Sequence, residues 1–240
     1  MTRSTSSNEH FDSAVSAWRA FQATKFYDVL AASPLIFFFG VSGSHLSNEV
    51  WASVRLADLS SLDLASAISL LGQIVSLALV ILLMTFLILR NPAKAKAKGL
   101  LPRFAAVAGT CFGIALVWLP VQPIGLGLSL ASLLLMLAGG GFSIYSISHL
   151  GRSFSVMAEG RRLVTDGPYS RIRHPLYLGE AVSLLGLTLQ YLSPLALAIF
   201  AVQVGFQLWR MKNEEGVLAG LFPEYEAYRL RTARLVPGLY

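Results

Sequence analysis

Two short runs of this sequence set versatile polar side chains against apolar helices. The first reads Leu163-Val164-Thr165-Asp166-Gly167-Pro168-Tyr169, then Arg171, then Arg173-His174-Pro175-Leu176-Tyr177-Leu178-Gly179-Glu180. Gly167-Pro168 marks a turn, and Pro175 suits the first turn of a helix, where its missing N–H has no helical partner anyway. His174 then stands at the helix entrance, with Tyr177 about one turn further and Glu180 another turn on, close to one face. An imidazole, a phenol and a carboxyl therefore line the mouth of an apolar helix. Glu180 is the hardest to explain as decoration. An ionised carboxylate inside a bilayer costs roughly 2.5 to 3.5 kcal/mol unless it is paired, protonated or wetted, so the sequence demands a partner or a polar cavity for it.

The second run is Arg210-Met211-Lys212-Asn213-Glu214-Glu215, followed by Phe222-Pro223-Glu224-Tyr225, Tyr228 and Pro237. Arg210 and Glu214 lie one helical turn apart and can pair, although this order contributes at most about a few tenths of a kcal/mol. Arg210 offers a carboxylate two parallel hydrogen bonds in a fixed plane. Singly, each residue also has a plain structural reading. His174 caps a helix, Tyr177 anchors at an interface, and the acidic pair is a solvated helix end.

The elements that must position these groups are membrane helices. The chain is 55% hydrophobic and 13% charged, against roughly 25% charged in a soluble domain. Apolar stretches cover about 27–43, 65–89, 104–120, 125–149, 176–191 and 194–211, and lengths near 20 residues match a hydrocarbon layer about 30 Å thick. The expected fold is all-α, a polytopic bundle of six transmembrane helices, or five if the last hairpin only partly crosses. It divides into a cytoplasmic segment 1–26, scaffold helices over 27–149, and a region 150–240 holding both polar runs and the hairpin 176–211. No cleavable leader is expected in 1–26, which is polar and mixed in charge.

Charge placement fixes the expected orientation. With both termini cytoplasmic, the inside segments hold Arg3, Arg19, Lys25, Arg90, Lys94, Lys96, Lys98, Arg103, Arg152, Arg161, Arg162, Arg171, Arg173, Arg210, Lys212, Arg229, Arg231 and Arg234, which is 18 of the 19 Lys and Arg residues. Only Arg55 falls outside, in a loop over 44–64 with Glu49, Asp58 and Asp63. The net charge of +6 thus reports topology and contact with anionic lipid rather than a nucleic-acid partner. Cys111 is the only cysteine, so no intramolecular disulfide or thiolate zinc cluster is expected; no metal ligand is assigned. The second to fourth spans contain no Asp, Glu, Lys or Arg, which argues against an ion-coupled transporter or a channel. Gly139-Gly140-Gly141 with Ser143 and Ser146 reads as a surface for close helix packing.

A hairpin returns the chain to the side it left, so the end of the sixth helix emerges beside the start of the fifth. The combined pattern resembles the isoprenylcysteine carboxyl methyltransferases and the related phospholipid N-methyltransferases, whose shared signature is Arg-His-Pro-x-Tyr-x-Gly, a helical hairpin, then Glu-Glu. The matching residues are Arg173, His174, Pro175, Tyr177, Gly179, Glu214 and Glu215, within about 150–240. The resemblance implies an enzyme that binds S-adenosylmethionine at the cytoplasmic face, in a bacterial inner membrane or a eukaryotic endoplasmic reticulum. Its acceptor, a lipophilic small molecule or lipidated substrate, would enter from the bilayer. By similarity, Arg161, Arg162, Leu163, Val164, Tyr169, His174, Pro175, Leu176, Tyr177, Glu214 and Glu215 contact the cofactor, and Arg210 holds the acceptor's carboxylate. The Arg161-Arg162 pair departs from the family's usual side chains, leaving backbone contacts there, and Glu159 aligns only loosely. The nearest alternative is an NADPH-dependent sterol-type membrane reductase, which shares a Gly-Glu like Gly179-Glu180 but has Asn where this chain has Leu176. An amine-methylating enzyme and a non-catalytic membrane protein are the other readings.

Overall fold

The computed structural model describes residues 16–17, 20–21, 24–56, 64–120 and 122–238; the expectations placed on Arg3, Arg19, Asp58, Asp63 and most of 1–26 lie outside them. The described chain is helical: α1 Lys25–Leu56, α2 Leu64–Leu89, α3 Leu101–Cys111 continuing as a 3-10 helix Phe112–Trp118, α4 Leu126–Leu150, α5 Pro175–Gln190, α6 Pro194–Leu221 and a short α7 Tyr225–Arg231. Two short strands, β1 Ala95–Lys96 and β2 Glu159–Gly160, pair antiparallel. The expected all-α membrane class holds.

Among the described residues, four helices are long and apolar enough to cross a membrane: Lys25–Arg55, Leu70–Leu89, Leu126–Ser153 and Pro194–Leu221. The third and fifth expected spans are shorter. α5 has 16 residues, about 24 Å at 1.5 Å per residue. α3 has 11 residues and its 3-10 continuation 7; because a 3-10 helix rises about 2 Å per residue, together they reach about 30 Å.

The loop expected over 44–64 is helical as far as Leu56. Local bonds carry the helix on: the Ser44 hydroxyl donates to the Val41 carbonyl at 2.8 Å, and His45 lies 3.3 Å from Glu49 one turn ahead. α6 likewise outruns its expected end at 211. Its 28 residues span about 42 Å, so the final turns stand beyond a 30 Å apolar layer.

The helix ends gather as serial crossings require. Arg90, after α2, donates to Asp28 of α1 at 2.7 Å, and Arg152, after α4, donates to the Leu89 carbonyl at 2.9 Å. His174, before α5, lies 3.2 Å from Glu215 in the last part of α6. The starts of α1 and α5 therefore share one side with the ends of α2, α4 and α6.

Small residues bring α4 and α5 into backbone contact. A Cβ at Gly179 would fall 2.4 Å from Ser143 Oγ and 2.8 Å from the Gly139 carbonyl oxygen, and Ser132 Oγ donates to the Gly186 carbonyl at 2.7 Å. This is the packing role expected of the glycine-serine run. Replacing Gly179 by Ala should destabilise the protein by about 1 to 3 kcal/mol, as overpacking does, and lower its melting temperature in detergent; an unchanged melt would show that the two helices can part freely. On the α1, α2 and α4 side, Phe39, Leu83, Leu87 and Ile147 form a buried core with Phe154, Val156 and Leu176. That core seats the polar segment after α4 against the bundle.

Candidate active site

The two polar runs meet. The segment after α4 is pinned by the ribbon: Lys94 N–H donates to the Gly160 carbonyl at 2.8 Å and Ala97 N–H to the Ala158 carbonyl at 2.9 Å. Gly167 adopts φ +55°, a left-handed turn that glycine accepts readily, and opens the 3-10 turn Gly167–Ser170 that buries Tyr169. The chain after α7 then runs beside 171–174. Arg173 N–H donates to the Ala233 carbonyl at 2.8 Å and His174 N–H to the Arg234 carbonyl at 3.1 Å, which fixes His174 just before Pro175 opens α5.

Glu214 and Glu215 have separate roles. Glu215 accepts from Arg173 Nε at 3.0 Å, from Arg234 Nη2 at 2.7 Å and from Arg234 Nε at 3.1 Å, and sits 3.2 Å from His174 Nε2. It clamps the entrance of α5 to the end of α6 and to the chain after α7. Glu214 accepts the Tyr177 hydroxyl, and its other oxygen lies 3.9 Å from His174 Nδ1. His174 does not cap its helix with its side chain; the ring stands between the two carboxylates.

Arg210 does not need Glu214 as its anchor. Its Nη2 donates to the Val156 carbonyl at 3.1 Å, and its guanidinium carbon lies 4.8 Å from the centre of the Tyr177 ring, a cation–π distance. Glu180 has the partner its position demanded: Gln207 Nε2 donates to it at 3.1 Å.

These groups line one cavity of about 490 Å³. Arg161, Arg162, Leu163, Val164, Tyr169, His174, Leu176, Tyr177, Arg210 and Glu214 all contribute to its wall, as do Glu180 and Gln207; Pro175 and Glu215 do not. Phe39 of α1 and Leu79, Val80 and Leu83 of α2 give the cavity an apolar wall. The Arg161 side chain is already engaged, donating to Glu159 at 2.6 Å and to Asp28 at 3.1 Å. With Arg90 on Asp28 and Lys96 3.5 Å from Glu159, it ties α1, α2 and the ribbon to the cavity segment.

Phenols at this end stay protonated. Burial above all pushes Tyr169 far up, and pushes Tyr228 up to about 12, so Tyr228 is held as the donor of its 2.7 Å bond to the Tyr169 carbonyl.

Sequence reading overlooked Gln203 and Gln207. With Arg210 and Glu214 they recur at spacings of four, three and four along α6, the signature of one helix face, and all four line the cavity. Among the described residues, no group of three or more His, Cys, Asp or Glu side chains could hold a metal ion.

Residues 128–225 match the model of the phospholipid methyltransferase family. Among the relatives, the cobalt-zinc-cadmium resistance protein CzcN of Cupriavidus metallidurans is 32% identical over 115 residues, 47% of this chain and 53% of that protein. The nickel-cobalt-cadmium resistance protein NccN of Alcaligenes xylosoxydans xylosoxydans is 35% identical over 82 residues, 34% of this chain and 38% of that protein. The likeness therefore spans about half, or less, of the length of these curated relatives. The family match over residues 128–225 is consistent with the membrane-methyltransferase resemblance read from the sequence. His174, Tyr177, Arg210 and Glu214 fall inside that stretch.

Proposed function

We propose that this chain, whose residues 128–225 carry the phospholipid methyltransferase pattern, transfers a methyl group from S-adenosylmethionine to a lipophilic acceptor drawn from the bilayer. One observation carries the reading: a single cavity joins an apolar wall on α1 and α2 to the polar group His174, Tyr177, Arg210 and Glu214. Its volume of about 490 Å³ lies within the range of about 300 to 1,000 Å³ usual for small-molecule sites.

The residues present fit the cofactor. Glu214 offers a carboxylate to a cationic group, Tyr177 an aromatic face, and Leu163, Val164 and Leu176 apolar contact for a flat ring. When bound, S-adenosylmethionine supplies a methyl carbon on a positively charged sulfur, open to in-line displacement. This chain's own contribution is placement. Holding reacting atoms at about 3 to 3.5 Å can contribute roughly 7 to 11 kcal/mol of rate enhancement. Arg210, fixed by the Val156 carbonyl and the Tyr177 ring, presents its plane to an acceptor carboxylate, which needs no general base. The apolar wall takes the acceptor's hydrocarbon portion.

Glu180 favours a second reading. A carboxylate steadied by Gln207 in the same cavity suits a cationic amine, and an amine acceptor would be methylated on nitrogen. Incubating the purified protein with methyl-labelled S-adenosylmethionine and a membrane-lipid extract separates the two. A base-labile labelled ester is expected for a carboxylate acceptor and a base-stable label for an amine. Folded protein that labels nothing, while reducing a sterol with NADPH, would overturn methyl transfer altogether.

A further inference from the structure

The third membrane element changes its winding beside the cavity. α3 ends at Cys111 and the chain continues as the 3-10 helix Phe112–Trp118. In an uninterrupted α-helix the Gly113 N–H would donate to the Gly109 carbonyl. Instead, the side chain of Gln203 from α6 occupies that rung: its Nε2 donates to the Gly109 carbonyl at 2.5 Å and its Oε1 accepts from Gly113 N–H at 3.1 Å. A side-chain amide inserted into the ladder satisfies both groups and accounts for the break. Gln203 is buried.

The break is fixed where Arg210 crosses it. A Cβ at Gly109 would fall 2.5 Å from Arg210 Cδ and 3.4 Å from its Cγ; the arginine stem lies across the bare backbone of α3. The head beyond it is held by the Val156 carbonyl at 3.1 Å and the Tyr177 ring at 4.8 Å. Gly109 and Gln203 meet on one rung of the joint between α3 and α6. Gly109 also lies outside the stretch 128–225 that matches the family.

We infer that Gly109 and Gln203 are positioning residues for Arg210: the amide inserted at the helix break registers α3 against α6, and the missing side chain leaves the groove that aims the guanidinium into the cavity. This rests on the methyl-transfer reading for its consequence, though the geometry can be tested without it. Gly109→Ala pushes the stem toward the cavity, and Gln203→Ala lets the Gly109–Gly113 rung close.

The test is a double-mutant cycle on methyl incorporation from labelled S-adenosylmethionine into a membrane-lipid extract, with labelling of Arg210 by phenylglyoxal, read by mass spectrometry, as a measure independent of activity. Gly109→Ala is expected to lower incorporation about tenfold or more, with S-adenosylmethionine affinity within about threefold of wild type. In an Arg210→Ala background the same substitution should change incorporation by less than about twofold, because the effect passes through Arg210. Phenylglyoxal labelling at Arg210 should rise in Gly109→Ala and in Gln203→Ala. Equal losses in both backgrounds, or unchanged labelling in folded protein, overturns the inference. If Gly109→Ala fails to fold, Gln203→Ala carries the same cycle and the same expectations. A wild type that neither binds S-adenosylmethionine nor labels lipid removes the methyl-transfer reading and this residue role with it, while the phenylglyoxal result still reports whether the joint sets the arginine.

Discussion

Arg210→Ala is expected to cut methyl transfer by about a hundredfold or more while leaving S-adenosylmethionine affinity within a few-fold. The arginine is buried, lines the cavity and is anchored by a backbone carbonyl and an aromatic face rather than by an acidic partner. Its removal breaks no salt bridge seen among the described residues, and the loss falls on whatever the guanidinium orients. Lys at 210 should restore little, since an ammonium cannot reproduce a planar two-point grip. Steady-state turnover, with cofactor binding measured in parallel, checks the split. Full activity in Arg210→Ala would mean that the acceptor is not a carboxylate, and the amine reading built on Glu180 would replace it.

The second large effect is the opposite split. Glu214→Ala should weaken S-adenosylmethionine binding by about 1.5 to 3 kcal/mol, the scale of a hydrogen bond to a charged group, which is about ten- to a hundredfold in affinity. Glu214 faces the cavity and accepts the Tyr177 hydroxyl, so its loss also releases the ring against which Arg210 rests. Calorimetric titration of the folded variant reads the affinity directly. A variant that binds as well as wild type would remove Glu214 from the cofactor's contacts.

Much of this site is written in local sequence. Arg173 to Glu180 announces a helix start with polar side chains one turn apart, and the charges after residue 209 announce where the last long helix leaves its apolar stretch, though the helix itself runs on to Leu221; the short hairpin between them forces the two together. The separate roles of Glu214 and Glu215 were also legible in principle, because neighbouring helical residues point about 100° apart and only Glu214 falls one turn from Arg210 on its face. The same periodicity would have added Gln203 and Gln207 to the face that carries Arg210.

What local pattern does not contain is partnership across the bundle. Asp28 and Arg90 look like ordinary interface charges until the fold joins them with Glu159 and Arg161 in a buried network. The break in the third span has no proline to announce it; its cause is an amide 90 residues away from Gly113. Gly109 among other small residues reads as generic packing, and only the path of the Arg210 stem gives it a specific task.

The central claim is that the cavity between α5, α6 and the segment after α4 holds S-adenosylmethionine. Titration calorimetry on the folded wild-type protein in lipid nanodiscs, with S-adenosylmethionine, its demethylated product and NADPH in turn, tests it most directly. The account predicts saturable binding of the first two, weakened about ten- to a hundredfold by Glu214→Ala and changed only a few-fold by Arg210→Ala. Saturable heat with NADPH and none with either sulfur ligand would contradict it.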